Sequence, residues 1–120
     1  MVYSTIVETR SIEAVSYLEA LADPVRLALV VNLAGGERCV CELQERVAVA
    51  PNLLSYHLRV LREAGLVIAA RRGRWMDYRL DGDGFAAMWA SLASVGVPFP
   101  GETTSTERAR RSGNEQGAGR

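Results

Sequence analysis

The residues with the most distinctive chemistry are Cys39 and Cys41, separated by Val40 and flanked by Glu37, Arg38 and Glu42. Thiolates are soft ligands, and a pair of them suits arsenite, antimonite, cadmium, lead, zinc or cuprous ions. Geometry limits how the two can act together. Residues i and i+2 of a regular helix point ~200° apart at 3.6 residues per turn, so the sulfurs would diverge. Both reach one ion only if Cys39 stands just before a helix or the first helical turn is distorted. Two other readings stay open on residue type alone: small buried hydrophobes, or a redox switch through sulfenic acid or a disulfide. Two cysteines in 120 residues make no disulfide framework.

The second set of candidates is cationic. Every basic residue is Arg, the side chain best shaped for forked contacts to phosphate and guanine. The formal net charge of zero hides an uneven distribution. Residues 1–50 carry seven carboxylates against four arginines, a net of −3, and residues 51–80 carry six arginines against two carboxylates, a net of +4. The positive half holds Arg59, Arg62, Arg71, Arg72, Arg74 and Arg79. Such asymmetry is the footprint of a nucleic-acid face.

These groups need a scaffold, and the chain is long enough for one domain with one core. With 48% hydrophobic residues it is not a wholly disordered chain. No apolar run approaches the ~20 residues of a membrane span. Residues 1–11 lack the basic-then-apolar order of a secretory leader. The reading is therefore cytoplasmic, with no membrane partner and with reduced thiols.

Apolar spacing then places the elements. Ser11 is a candidate cap for a first helix carrying Ile12, Val15, Leu18 and Leu21, which leaves residues 1–10 as an N-terminal arm. Asp23-Pro24 starts a second helix, with Leu27, Val30, Val31 and Leu33, that stops at Gly35-Gly36. A short third helix fits residues 40–47, and Pro51 opens a fourth with Leu54, Leu58 and Leu61 at helical spacing. Gly65 suits the left-handed position past its end. The period then changes to alternation: strand 66–70, turn 71–74, return strand 75–80, in which Met76, Tyr78 and Leu80 face opposite to Trp75, Asp77 and Arg79. Asp81-Gly82-Asp83-Gly84 breaks the hairpin, and residues 85–94 read as a last helix. The domain spans residues 11–97, and the polar stretch 98–120 is expected to be a disordered tail.

The fold class is thus mainly α with a β-hairpin, in the order α-α-α-α-β-β-α: a winged helix-turn-helix. In that plan the second helix of the motif enters the major groove and the hairpin reaches the flanking backbone. Asn52, Ser55, Tyr56 and Arg59 lie off the apolar stripe of the fourth helix, the first three in the turns that meet base edges. Arg71, Arg72 and Arg74 crowd the hairpin tip for phosphate or minor groove. His57, the only histidine, is a DNA-contact candidate and equally a structural one. Val15, Leu18, Phe85, Met88, Trp89 and Leu92 bring more apolar surface than the core can cover, which a homodimer would bury. Twofold symmetry then predicts a double-stranded operator with an inverted repeat, half-sites ~10 bp or a multiple apart.

Four stretches resemble the ArsR/SmtB metalloregulators. Leu21-Ala22-Asp23-Pro24-Val25-Arg26-Leu27 is similar to that family's LADPxRL opening. The segment from Ser55-Tyr56-His57-Leu58 to Ala64-Gly65-Leu66-Val67 is similar to its recognition-helix pattern SxHLxxLxxAGLV. Arg72-Gly73-Arg74 with Tyr78 and Leu80 fits its wing, and Glu37-Arg38-Cys39-Val40-Cys41-Glu42-Leu43 resembles its metal box, ELCVCDL. The resemblance covers residues 18–92. It implies a homodimeric repressor, not an enzyme and without a catalytic cofactor, released from its operator when a thiophilic metal or metalloid binds Cys39 and Cys41.

Two departures matter. Ala50-Pro51 stands where the family has Ser-Gln, and the last helix has no histidine for a zinc site. Trigonal arsenite takes three sulfurs and the chain offers two, so the third position falls to a small-molecule thiol, water, or an oxygen of Glu37 or Glu42. Arsenic(III) or antimony(III) is the expected inducer, with cadmium and lead next and zinc behind them. Thiol oxidation through the same cysteines is the alternative. A thiol enzyme or metal carrier is a third reading, and it leaves the arginine hairpin unexplained.

Overall fold

The computed structural model describes residues 2–98 and 101, with side chains from residue 11 onward. Five helices and three strands follow in the order α1 (Val2–Leu21), α2 (Pro24–Leu33), β1 (Arg38–Cys39), α3 (Val40–Arg46), α4 (Pro51–Glu63), β2 (Val67–Arg72), β3 (Trp75–Leu80) and α5 (Gly82–Ser94). This is the winged helix-turn-helix expected from the sequence, with one strand more. The sheet is antiparallel in the order β1-β3-β2, so the hairpin gains a short third strand on its β3 edge.

Local chemistry accounts for the boundaries. Asp23 caps α2: its Oδ1 accepts from the backbone N–H of Val25 at 2.8 Å and of Arg26 at 3.2 Å, and Pro24 follows at the first helical position. No side chain caps α4, and Pro51 alone presets its first turn. Gly65 takes a φ of 81°, as expected past a helix end, and the backbone N–H of Leu66 closes onto the Leu61 carbonyl.

Three expectations are corrected. The first helix runs from Val2, so Ser11 is an interior residue rather than a cap and residues 2–10 are helical rather than an arm; no Gly or Pro precedes Pro24 to stop it. The stretch 81–84 opens α5 instead of merely ending the hairpin. There Asp81 is the cap, its Oδ1 accepting from the N–H groups of Asp83 and Gly84. Strand β2 extends through Arg72, leaving Gly73 and Arg74 as a two-residue turn with Gly73 at φ 62°. The expected tail lies, apart from residues 98 and 101, outside the described residues.

The core sits where α2, α3 and α4 meet the sheet. Leu29, Leu43, Leu54, Leu58, Leu61 and Leu66 are its fully buried large side chains. Met88 and Leu92 of α5 belong to the same cluster, and Phe85 and Trp89 pack against it. Helix α1 lies along α5 and leaves Ile12, Val15 and Leu18 exposed. Of the six residues expected at a dimer interface, the protomer's own core buries Met88 and Leu92, Phe85 and Trp89 are half-buried, and Val15 and Leu18 are exposed. Among the described residues no helix is long and apolar enough to cross a membrane.

Candidate DNA interface and cysteine site

Cys39 belongs to two elements at once. As the last residue of β1 it pairs with Asp77 of β3. It is also the N-cap of α3, extended at φ −76° and ψ 159°. Its Sγ accepts from the Glu42 N–H at 3.3 Å, and the Glu42 carboxylate accepts from the Cys39 N–H at 3.2 Å, a capping box with sulfur in the role of a hydroxyl. This is the placement that lets an i,i+2 pair converge: Cys39 stands off the helical cylinder, and the two Cα atoms are 5.3 Å apart. The sulfurs are joined in a disulfide rather than held as the free thiols expected of a reducing compartment. Cys39 is buried and Cys41 exposed, so one sulfur anchors the pair and the other meets solvent.

The oxygen donors considered for a third ligand are partly committed. Glu42 is tied to the Cys39 N–H and lies 3.4 Å from Arg38. Glu37 is exposed. Among the described residues no group of three or more His, Cys, Asp or Glu side chains is arranged to hold a metal ion. The oxygen donors beside the cysteines are thus one engaged carboxylate, Glu42, and one exposed carboxylate, Glu37.

On α4 the structure brings Asn52, Ser55, Tyr56 and Arg59 together on the exposed face. Arg59 holds its guanidinium 5.7 Å from the Tyr56 ring centroid, a cation–π contact that orders both side chains. His57 does not share that face. It is 8% exposed, and its Nδ1 lies 2.9 Å from Nη1 of Arg26 and 3.9 Å from Oδ1 of Asp23. Guanidinium only donates, so Nδ1 accepts and the ring hydrogen is assigned to Nε2. The structural one of its two sequence readings fits this placement.

Arg26 is a residue whose importance the sequence reasoning missed, although it lies inside the quoted LADPVRL motif. Its Nε donates to the Ala20 carbonyl at 2.7 Å and its Nη2 to the Glu19 carbonyl at 3.2 Å. One side chain thus joins the end of α1, the start of α2 and the buried side of α4. Burial pushes the Asp23 carboxyl up, but the backbone N–H groups of Arg26 and Val25 and the charge of Arg26 outweigh it and hold the carboxyl below its ordinary range.

The arginines of the wing divide. Arg71 and Arg74 are exposed at the tip. Arg72 instead folds back on Asp77, Nε to Oδ2 at 2.6 Å and Nη2 to Oδ1 at 3.1 Å. The forked hydrogen bond from Arg72 holds the Asp77 carboxyl below its ordinary range and raises the guanidinium in turn. The alternation sets Asp77 on the Trp75 and Arg79 side of β3, and there it is a buried carboxylate.

A short helix and an amphipathic helix joined by a turn, the second with its polar face exposed, followed by a basic hairpin, define a winged helix-turn-helix protein. Residues 23–69 match the family described as "Bacterial regulatory protein, arsR family". The chain is 48% identical over 63 residues to the HTH-type transcriptional repressor SmtB of Mycobacterium tuberculosis, covering 52% of this chain and 47% of that protein. It thus spans about half the length of that relative. It is 39% identical over 88 residues to the biofilm growth-associated repressor of Agrobacterium fabrum, covering 73% of this chain and 75% of the relative. Among solved structures, one described as a possible transcriptional regulator for arsenical resistance superposes with a TM-score of 0.61 at 41% identity, covering 68% of this chain and 84% of that one. The chain belongs to the ArsR/SmtB family.

Proposed function

We propose that the chain is a metal(loid)-responsive transcriptional repressor that works as a homodimer in the cytoplasm. It holds a double-stranded inverted-repeat operator and leaves it when arsenite or antimonite binds Cys39 and Cys41. The observation that carries this reading is the convergence of two sulfurs at the entrance to α3, one buried and one exposed. With both cysteines reduced, each thiol proton leaves with one hydroxide of arsenous acid as water, and two S–As bonds replace two O–As bonds. The remaining hydroxyl keeps the third position, or a small-molecule thiol replaces it with loss of a third water.

Asn52, Ser55 and Tyr56 then meet base edges, while Arg59, Arg71 and Arg74 take phosphates. The Gln44 side chain donates to the Val49 carbonyl, tying α3 to the turn that opens α4. Displacement at the start of α3 is thereby felt at the recognition helix. Ile12, Val15 and Leu18, exposed at helical spacing on α1, are the apolar face for a second copy.

One observation favours a second reading. The structure joins Cys39 to Cys41, so the same pair can act as a two-electron thiol switch. Operator binding followed by fluorescence anisotropy, on reduced protein, separates the two. Arsenite is expected to weaken binding by about tenfold or more, within the usual span of allosteric coupling, and a Cys39→Ser/Cys41→Ser variant should ignore it. A response to peroxide alone favours the switch. Release of the double variant by arsenite removes the assigned site, and silence to arsenite, antimonite, cadmium and lead rejects the metal reading.

A further inference from the structure

The cysteine pair sits on the edge of the same sheet that forms the wing. Strand β1 has two residues, and both pair with β3: Arg38 with Tyr78 and Cys39 with Asp77. On the other side of β3, Asp77 pairs with Ala70 and Trp75 with Arg72. Directly paired residues project from the same face of a sheet, as do residues two apart along a strand. Cys39, Asp77, Arg72 and Trp75 therefore form one file, running from the cysteine pair to the wing tip.

The file is held by charge as well as by register. Asp77 is 9% exposed, and its carboxylate receives both arms of the Arg72 fork. A forked charge-assisted pair is specific in geometry, so where Asp77 goes Arg72 must follow. Arg72 also lies in the field of Glu37 and Glu42, the two acids that flank the cysteine motif. Glu42 is the residue that closes the capping box on Cys39. Arg72 is thus tied to the cysteine site through Asp77 across the sheet, and the charge of Glu42 at the start of α3 adds a weaker attraction.

We propose that Asp77 and Arg72 are positioning residues that carry the chemical state of the Cys39–Cys41 pair to the wing. This rests on the pair being the sensor. A change at the Cys39 sulfur moves the end of β1 and the hold of Glu42 together. The movement of β1 reaches the Arg72 guanidinium through Asp77, and Arg72 stands at the base of the two-residue turn carrying Arg74. The wing's grip on the DNA backbone is then set by the sheet, beside the route through α3 and α4.

The test needs neither DNA nor metal. The full chain is labelled with nitrogen-15, and the indole N–H resonances of Trp75 and Trp89 are followed while a small dithiol reduces the disulfide. In that step the Cys39–Cys41 bond takes two electrons and two protons to give two thiols, and the reductant becomes its cyclic disulfide. A Trp75→Phe variant assigns the two signals. The Trp75 signal is expected to shift, and the Trp89 signal, on α5, to stay. In Asp77→Asn, which keeps shape and removes charge, most of the Trp75 shift is lost while thiol titration still counts two cysteines released. Arg72→Gln gives the same result from an exposed position and stands in if Asp77→Asn does not fold. A Trp75 signal indifferent to reduction in the unaltered chain, or an unchanged shift in the folded variants, overturns the proposal. An operator complex that ignores arsenite would overturn the metalloid reading and leave this result standing.

Discussion

Replacing Arg26 by Met tests the hub that sets the recognition helix against the rest of the protein. Methionine keeps the apolar stem and removes the fork. Three contacts go: to the Ala20 carbonyl at 2.7 Å, to the Glu19 carbonyl at 3.2 Å and to His57 Nδ1 at 2.9 Å. The Glu19 contact is exposed and is given no weight. The two part-buried ones are worth about 1 kcal/mol each, and the buried Nδ1 left without its donor costs about 1 kcal/mol more. The sum, about 3 kcal/mol, lowers the folded-to-unfolded ratio about 150-fold and the melting temperature by roughly 12 °C or more for a domain of this size. Urea unfolding followed by far-ultraviolet circular dichroism reads it, at one fixed protein concentration because dimerisation would add to apparent stability. Arg59→Met is the control: the same helix and the same change, but only an exposed contact over Tyr56 is lost, worth about 0.5 kcal/mol. Should Arg26→Met cost no more than Arg59→Met, the three contacts do not hold α4 and the hub is refuted.

Three further outcomes are expected. Arg71→Ala/Arg74→Ala should weaken operator binding and lower the slope of log affinity against log salt by about 1.8, at ~0.9 per phosphate released; an unchanged slope takes the wing tip off the DNA. In Gly84→Ala the new Cβ would stand 1.7 Å from the Gly65 carbonyl oxygen, forcing α5 from the α4–β2 turn at a cost of about 2 kcal/mol or more. Gly82→Ala, with no heavy atom within 4 Å, should be neutral or stabilising, and equal effects at the two glycines would contradict the packing. Asp77, held below its ordinary range by Arg72, contributes stability that is present above its unfolded value, about 3.9, and is lost as pH falls through the folded one. Urea midpoints from pH 7 to acid should therefore fall more steeply for the unaltered chain than for Asp77→Asn, and parallel curves would refute the pairing.

What could be read from the sequence was what short-range chemistry dictates. Asp23-Pro24, the Leu54/Leu58/Leu61 stripe, Gly65 and the switch from helical to alternating spacing each act within a few residues, and the structure keeps them all. The position of His57 was legible too. Residues 54, 57, 58 and 61 follow the i, i+3, i+4, i+7 pattern of one helix face, which puts the histidine on the buried stripe. Its partner was not legible, because Arg26 lies 31 residues away and only tertiary packing joins them. Strand β1 escaped for a related reason: two residues carry no alternation, and they form a strand only through the β3 edge. The dimer residues were over-assigned because a composition of apolar side chains does not say which of them the protomer's own core absorbs. Met88 and Leu92, four apart, turn inward.

The double membership of Cys39 bears on how much work its sulfur can do. As a cap, the sulfur holds the Glu42 N–H, and a side-chain cap is typically worth ~1 kcal/mol, less for a weak acceptor such as sulfur. Losing that alone would change operator affinity about fivefold, since 1.4 kcal/mol corresponds to tenfold. A repressor that releases tenfold or more needs a second contribution. One lies in the pairing of Cys39 with Asp77, where a buried carboxylate and its forked arginine depend on the register of a two-residue strand. A strand that short has one other pair, Arg38 with Tyr78, so displacement at one sulfur disturbs half of its ladder. The α3 cap and the β1 pairing meet in one residue, so on the proposed reading chemistry at that residue would load the recognition helix and the wing together.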